Sequence, residues 1–162
     1  MSDPTTVSAR IAELGITLPP VAAPVAAYVP AVRSGDLVYT SGQLPFTDGE
    51  LPATGSVGVA GGDGVAVSVE DAKTYARTAT LNALAAVDAL VGIDKVVQVV
   101  KVVGFVASAP GFGGQPGVVN GASELLGEVF GDAGAHARSA VGVAELPLGS
   151  PVEVELIVRV AD

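Results

Sequence analysis

Arg138, within His136-Ala137-Arg138-Ser139, is one of only eight basic residues in a chain of 162. A guanidinium is a planar fork of donors that can grip a carboxylate through two parallel hydrogen bonds, which lysine reproduces poorly. On composition alone, an arginine at a strand start is usually a surface residue. Strand alternation argues for more. Arg138, Ala140, Gly142 and Ala144 share one face, opposite Ser139, Val141 and Val143. Three small side chains then leave room beside the long cationic one.

Glu153 is the second candidate. A carboxylate in a strand ordinarily faces water. On a face buried by another subunit, desolvation would raise its pKa and suit it to proton transfer. If the last two strands pair as a simple hairpin about Pro147-Leu148-Gly149, Glu153 falls near Ala144. Arg138 then stands about six residues further along, roughly 20 Å at the rise of a strand. The two could share a pocket only across a subunit boundary.

Ser41 and Gly42, in SGQLP, mark a strand end that breaks into glycine. Backbone N–H groups at such a bend can hold an anionic oxygen, with the Ser41 hydroxyl as a further donor. Alone, the motif is a common turn. Ser41 lacks a G-x-S-x-G elbow, so a hydrolase triad is excluded. The single histidine, His136, reads as a plain surface residue. Asn120 falls on the polar side of a helix and reads as a solvent-facing amide.

The elements that must hold these residues are legible from periodicity. Residues 8–14 form a short helix ended by Gly15, and the proline-rich segment 18–25 is extended. Residues 28–32 and 37–40 flank Ser34-Gly35-Asp36 as a β-hairpin, and Thr47-Asp48-Gly49-Glu50 makes a second turn. Residues 55–64 hold five glycines but neither the P-loop Lys-Ser/Thr nor a G-x-G-x-x-G order, so they read as a flexible connection.

Ser68-Val69-Glu70-Asp71 resembles a capping box. Ala72, Ala76, Ala79, Ala83, Val87 and Leu90 follow at helical spacing, a thin face able to lie close to a sheet, and Gly92 stops it. A second helix starts near Pro116, with Val118, Ala122, Leu125 and Val129 as its stripe and Gly131 as its end. Strands are expected over 96–106, 139–144 and 152–160. In the last, Val152, Val154, Leu156, Val158 and Val160 alternate with Glu153, Glu155 and Arg159.

The order ββ, helix, β, helix, ββ gives an α+β domain over 26–162, with both helices on one face of a mixed sheet, preceded by an extension over 1–25. In the 96–106 strand, Val97, Val99 and Val103 oppose Val96, Val100 and Val102. Two helices cover only one face, so another copy of the chain is expected on the other.

Composition excludes several classes. The net charge is −9, and eight dispersed bases cannot supply the patch that nucleic acid requires. There is no cysteine, hence no disulfide, thiolate nucleophile or Cys-ligated metal. One histidine rules out a His-rich zinc site, which leaves an all-carboxylate site as the metal alternative. Mean hydropathy is +0.56, which argues against disorder. The longest apolar stretch is broken by Gln98 and Lys101 and is too short to span a bilayer. No basic segment precedes an apolar one at the N-terminus, so a cytoplasmic location is expected.

Three segments, YVPAVRSGDLVYTSGQLP, TLNALAAVDALVG before DKVVQVVKVVGFV, and HARSAVGVAELPLGSPVEVELI, resemble the Rid, or YjgF-like, family of reactive-intermediate deaminases. The resemblance runs from about Tyr28 to Val160. It implies a chorismate-mutase-like homotrimer with its sheets inward and ligand clefts between subunits. It also implies hydrolysis of 2-imino or enamine acids to 2-oxo acids and ammonia.

By the same resemblance, Arg138 matches the arginine that holds the substrate carboxylate, and Glu153 the glutamate associated with the attacking water. Tyr28, Ser41, Gly42 and Asn120 match residues of the cleft. The implied partner is a small carboxylate metabolite, and neither a metal nor an organic cofactor is implied. His136 stands where the family often has proline, and the extension and glycine-rich loop are additional, so the chain resembles a divergent branch. A non-catalytic carboxylate-binding or metabolite-sensing trimer is the alternative. Ribonuclease, chaperone or translation-inhibitor roles, also attributed to the family, form a third reading, and acidity argues against the first of these.

Overall fold

The computed structural model describes residues 5–21, 23, 26–58 and 67–162. The described residues form helices α1 (Val7–Glu13), α2 (Val69–Val91) and α3 (Gln115–Phe130). Five strands, β1 (Ala31–Ser34), β2 (Leu37–Thr40), β3 (Val96–Ala107), β4 (Ala137–Val143) and β5 (Val152–Val160), form one mixed sheet. Most of the 55–64 loop lies outside the described residues.

Local chemistry starts and stops these elements as the sequence reading expects. The Ser68 side chain accepts the Asp71 N–H at the head of α2, at 3.0 Å, and Glu70 and Asp71 favour its positive end. Gly92, at φ 87°, ends the helix. Ala72, Ala76, Ala79, Ala83 and Val87 are all buried, but Leu90 is 44% exposed, because the stripe has rotated off the core by the last turn. Val118, Ala122, Leu125 and Val129 of α3 are buried as expected.

The small residues set close approaches. A Cβ on Gly121 of α3 would collide with the Lys73 carbonyl oxygen of α2, so the helices touch backbone to backbone. Gly104 of β3 gives way in the same manner to the Val119 side chain. Ion pairs Lys73–Glu124 (3.0 Å) and Arg77–Glu128 (2.9 Å) flank the α2–α3 contact. Helix α1 is tied down by Asp94, whose carboxylate accepts the Ser8 N–H and hydroxyl at 2.7 Å each.

The sheet order is β1-β2-β5-β3-β4. The Thr47–Glu50 turn forms where expected. A β1–β2 hairpin also forms, but its first strand runs Ala31–Ser34 rather than 28–32, so Ser34 belongs to the ladder and Tyr28 lies ahead of the strand. The simple hairpin of the last two strands does not. β3 inserts between them, parallel to β4 and antiparallel to β5. The end of β3 takes up both: Ser108 N–H donates to Val143 O, and Ala107 N–H to Pro151 O, each at 2.9 Å. A long apolar strand gains more as the centre of a sheet than at its edge, where its ladder groups would be unpaired.

The expected alternation along β3 is also corrected. Register shifts between Val96 and Gln98 and between Val99 and Lys101 put Val96, Val99 and Val102 together on the buried face. A bulge inserts one residue and inverts the parity beyond it. From Val102 onward the pattern is regular, with Val102, Gly104 and Val106 beneath the helices and Val103 and Phe105 on the opposite, uncovered face. Tyr39, Val141 and Ile157 share that uncovered face with Lys101, Glu153 and Glu155, by the register of the ladders.

Candidate functional site

The candidate residues fall into two groups. The first is built on the start of β4. Arg138 pairs with Val102 of β3, whose side chain is fully buried beneath the helices, so Arg138 faces the helical layer from an edge strand. There its Nη1 donates to Asn120 Oδ1 at 2.8 Å and to Ser123 Oγ at 3.2 Å, both on α3. Asn120 is thus turned toward β4 rather than toward solvent. The space that small residues leave beside Arg138 is partly filled by α3: a Cβ on Gly142 would press on Gln115 Nε2 and Ser108 Oγ.

Two further residues belong to this group. Ser123 Oγ lies 2.9 Å from His136 Nε2, and His136 Nδ1 lies 2.6 Å from Gly134 O. His136 is therefore a bonded, half-buried group and no plain surface residue. Ser123 was not singled out by sequence reasoning. Its spacing of three from Asn120 puts both on one side of α3, which is the only signal the sequence offered.

Arg138 is half-buried, and no carboxylate pairs with it among the described residues. Its Nη1 is committed to two neutral acceptors. The Nε–Nη2 edge, which presents two parallel donors, has no partner among the described residues. A guanidinium held this way presents the two parallel donors that a planar anion can accept.

The second group lies where β2 ends beside the start of β5. The Thr40 hydroxyl replaces a ladder acceptor for Leu156 N–H, at 2.9 Å. The chain then bends, and Gln43 re-pairs with Val154 through bonds of 2.8 and 3.0 Å. Between these ties lie Ser41 and Gly42. Gly42 is required by approach: a Cβ there would collide with Glu153 Oε1. Burial, and secondarily the charge of Glu155 on the same face, pushes the Glu153 carboxyl above its ordinary value.

Ser41 differs from expectation. Its hydroxyl donates to Val29 O at 2.6 Å, and its N–H to Pro30 O at 2.8 Å. What it offers a ligand is an oxygen lone pair. The Gly42 N–H, by contrast, has no partner among the described residues. Tyr28, 52% exposed, stands next to Val29 at this end of the sheet.

Arg138 and Glu153 do not meet within one chain. Arg138 pairs with Val102, while Glu153 pairs with Phe105, three residues on along the same strand. An odd offset puts them on opposite faces of the sheet. Three residues and two strand spacings separate their Cα atoms by roughly 14 Å. A groove of about 480 Å³ between Val29–Arg33 and the end of α2 (Ala86, Ala89, Leu90) is lined by none of the candidate residues. Among the described residues no group of three or more His, Asp or Glu could hold a metal ion. Nor is any described helix long and apolar enough to cross a membrane.

A family model described as "YjgF/chorismate_mutase-like, putative endoribonuclease" matches residues 8–160, and the chain belongs to this YjgF/chorismate-mutase-like family. The match begins inside α1. The chain is 42% identical over 155 residues to Protein TCP17 of Trypanosoma cruzi, covering 94% of this chain and 93% of that one. The crystal structure of an endoribonuclease-named protein from Shewanella oneidensis superposes with a TM-score of 0.86 at 31% identity, covering 96% and 99% of the two chains. Escherichia coli TdcF, crystallised with bound serine, superposes with a TM-score of 0.61 at 25% identity over 89% of this chain and 94% of that one.

Proposed function

We propose that this protein hydrolyses small 2-imino or enamine acids to 2-oxo acids and ammonia, in clefts between the subunits of a homotrimer. The observation that carries the proposal is Arg138, pinned through Nη1 with its Nε–Nη2 edge left for a carboxylate. The serine bound by TdcF is a ligand of the same carboxylate class.

Each cleft takes Arg138 and Asn120 from one subunit and Tyr28, Ser41, Gly42 and Glu153 from its neighbour. The uncovered sheet faces, with Tyr39, Val103, Phe105, Val141 and Ile157, pack inward. Arg138 fixes the substrate carboxylate side-on. The Gly42 N–H donates to an oxygen of the substrate, and Ser41 Oγ accepts from the reacting nitrogen or the water. Glu153, made more basic by burial, takes a proton from water as its oxygen attacks the imine carbon. Glu153 returns that proton to nitrogen, giving a tetrahedral adduct that carries a hydroxyl and an amine. The hydroxyl proton then moves to nitrogen, by way of Glu153, as the C=O bond forms and the C–N bond breaks, so that ammonia leaves the 2-oxo acid. Free imines hydrolyse without help, so orientation and a shuttled proton are modest aid for the reaction to need.

Ammonia or oxo-acid release from an imine generated by an amino-acid oxidase tests the reading, comparing wild type with Arg138→Ala. Release above the spontaneous rate is expected for wild type, and release at that rate for the variant. Equal rates in the two would remove Arg138 from the reaction. Saturable oxo-acid binding without imine turnover would make the protein a metabolite-binding trimer, and RNA cleavage lost with Arg138 would replace the imine by RNA.

A further inference from the structure

The group around Arg138 contains more than a binding site needs. We propose that Ser123 and His136 are positioning residues, which hold the Arg138 guanidinium in its carboxylate-accepting pose through a directed hydrogen-bond chain ending on a neutral, Nδ1-protonated imidazole. The inference rests on the carboxylate-binding part of the reading above.

The directions of the bonds at the two ends follow from chemistry, and that of the middle bond from the neutral ring the proposal assigns. A backbone carbonyl only accepts, so the 2.6 Å contact to Gly134 O puts a proton on His136 Nδ1. A guanidinium only donates, so Ser123 Oγ accepts from Arg138 Nη1. With a neutral ring, Nε2 is an acceptor and receives the Ser123 hydroxyl proton over 2.9 Å. The chain runs Arg138 Nη1–H to Ser123 Oγ–H to His136 Nε2, and His136 Nδ1–H to Gly134 O. No donor opposes a donor.

The fold fixes both ends. Gly134 is buried, and its Cα is so close to the Leu126 carbonyl of α3 that a Cβ there would collide with it. The imidazole is thereby anchored to the turn that closes α3, while Ser123 and Asn120 project from the same helix. Asn120 Oδ1 and Ser123 Oγ both accept from Nη1. These two bonds restrain rotation of the guanidinium plane about Cδ–Nε, and the Nε–Nη2 edge stays aimed outward. An imidazolium would reverse the Nε2 bond and place two cations against one serine oxygen, so the neutral ring is the form that supports Arg138.

One measurement needs no ligand. His136 is the only histidine, so its ring nitrogens give an unambiguous long-range proton–nitrogen NMR pattern. A predominant Nδ1–H tautomer is expected, and a predominant Nε2–H tautomer overturns the proposal.

The second measurement is calorimetric binding of 2-oxobutanoate, paired with imine kinetics. Ser123→Ala and His136→Phe are expected to raise Kd and KM roughly fivefold to tenfold, about one hydrogen bond's worth, with kcat retained. Ser123→Thr should restore affinity, and the double variant should be no weaker than either single one, since both break one chain. A residue important only for folding would lower thermal stability without this split. Wild-type affinity in Ser123→Ala and His136→Phe, with affinity lost in Arg138→Ala, overturns the positioning role and leaves the carboxylate reading intact. Unchanged affinity in Arg138→Ala, or no binding by wild type, overturns both. Binding without imine turnover would defeat the deaminase reading alone.

Discussion

The Glu153 carboxylate rests on the backbone of Gly42, at a point where any side chain would displace it. Glycine here supplies space rather than an unusual backbone angle. The contact joins the bend after β2 to the start of strand β5, and it sets which way Glu153 points. Gly42→Ala is expected to push Glu153 aside, because a flexible carboxylate yields more readily than paired backbone. The stability cost should be under about 1 kcal/mol, while imine turnover falls about 100-fold, the low end for a misplaced proton-transfer group. Steady-state kinetics with a thermal melt checks this, and full turnover in the alanine variant would defeat it.

Glu153 also makes a prediction about pH. Its folded carboxyl lies above its ordinary value because of burial and then Glu155. A group raised in this way contributes stability that is fully present below its unfolded value and lost as pH rises through the folded one. Ionised Glu153 is thus a burden on the fold at neutral pH. Glu153→Gln should melt above wild type near neutrality, and the gap should close as pH falls into the carboxylate range. Melts at fixed protein concentration measure it. A gap that does not change with pH would point to some other cause.

Asp94 behaves in the opposite sense. The Ser8 backbone N–H, then the Ser8 hydroxyl, holds its carboxyl below the ordinary value. The stability it gives is present above the unfolded value and lost as pH falls through the folded one. Asp94→Asn should speed amide exchange at Ser8 and along α1 near neutral pH. In acid, below the folded value, wild type should come to match it. Equal α1 protection in the two proteins at neutral pH would show that α1 docks without this tie.

The α2–α3 crossing sets where Asn120 and Ser123 project. Gly121→Ala drives a methyl into the Lys73 carbonyl, which helix backbone cannot yield, so the helices must separate. A loss of about 1–3 kcal/mol is expected in denaturant unfolding. Gly117→Ala is the control. It lies on the same helix with nothing near its Cβ position, and should be neutral or stabilising by up to about 1 kcal/mol. Similar losses at both sites would rule out the crossing as the cause.

Helix periodicity, caps and the alternation of β5 were legible in the chain because each is a local pattern, set by neighbours a few residues apart. Strand order was not. Nothing in residues 144–151 announces that the link must pass over β3, since pairing depends on partners far away in sequence. The bulges near Val96 and Val99 defeated simple alternation for the same reason. Arg138 and Glu153 could be chosen from residue type, and their separation within one chain followed even from the wrong pairing. Opposite sheet faces, rather than distance along a hairpin, are what keep them apart. Ser123 and the bonded state of His136 stayed hidden, because serine and histidine on polar surfaces look alike until α3 is laid against β4.

The sheet order also fixes how the protein must complete itself during synthesis. β5 is the last of the five strands to leave the ribosome, yet it lies between β2 and β3. Until it arrives, β1–β2 and β3–β4 are separate ribbons, each with an open edge. The bend at Gly42 has no Val154 to pair with, and Glu153 has not yet emerged. The nascent chain therefore gathers Arg138 and its α3 partners first, and gains the Glu153 half only when the final strand closes the gap. Such late, long-range closure is slow and leaves sticky edges exposed meanwhile.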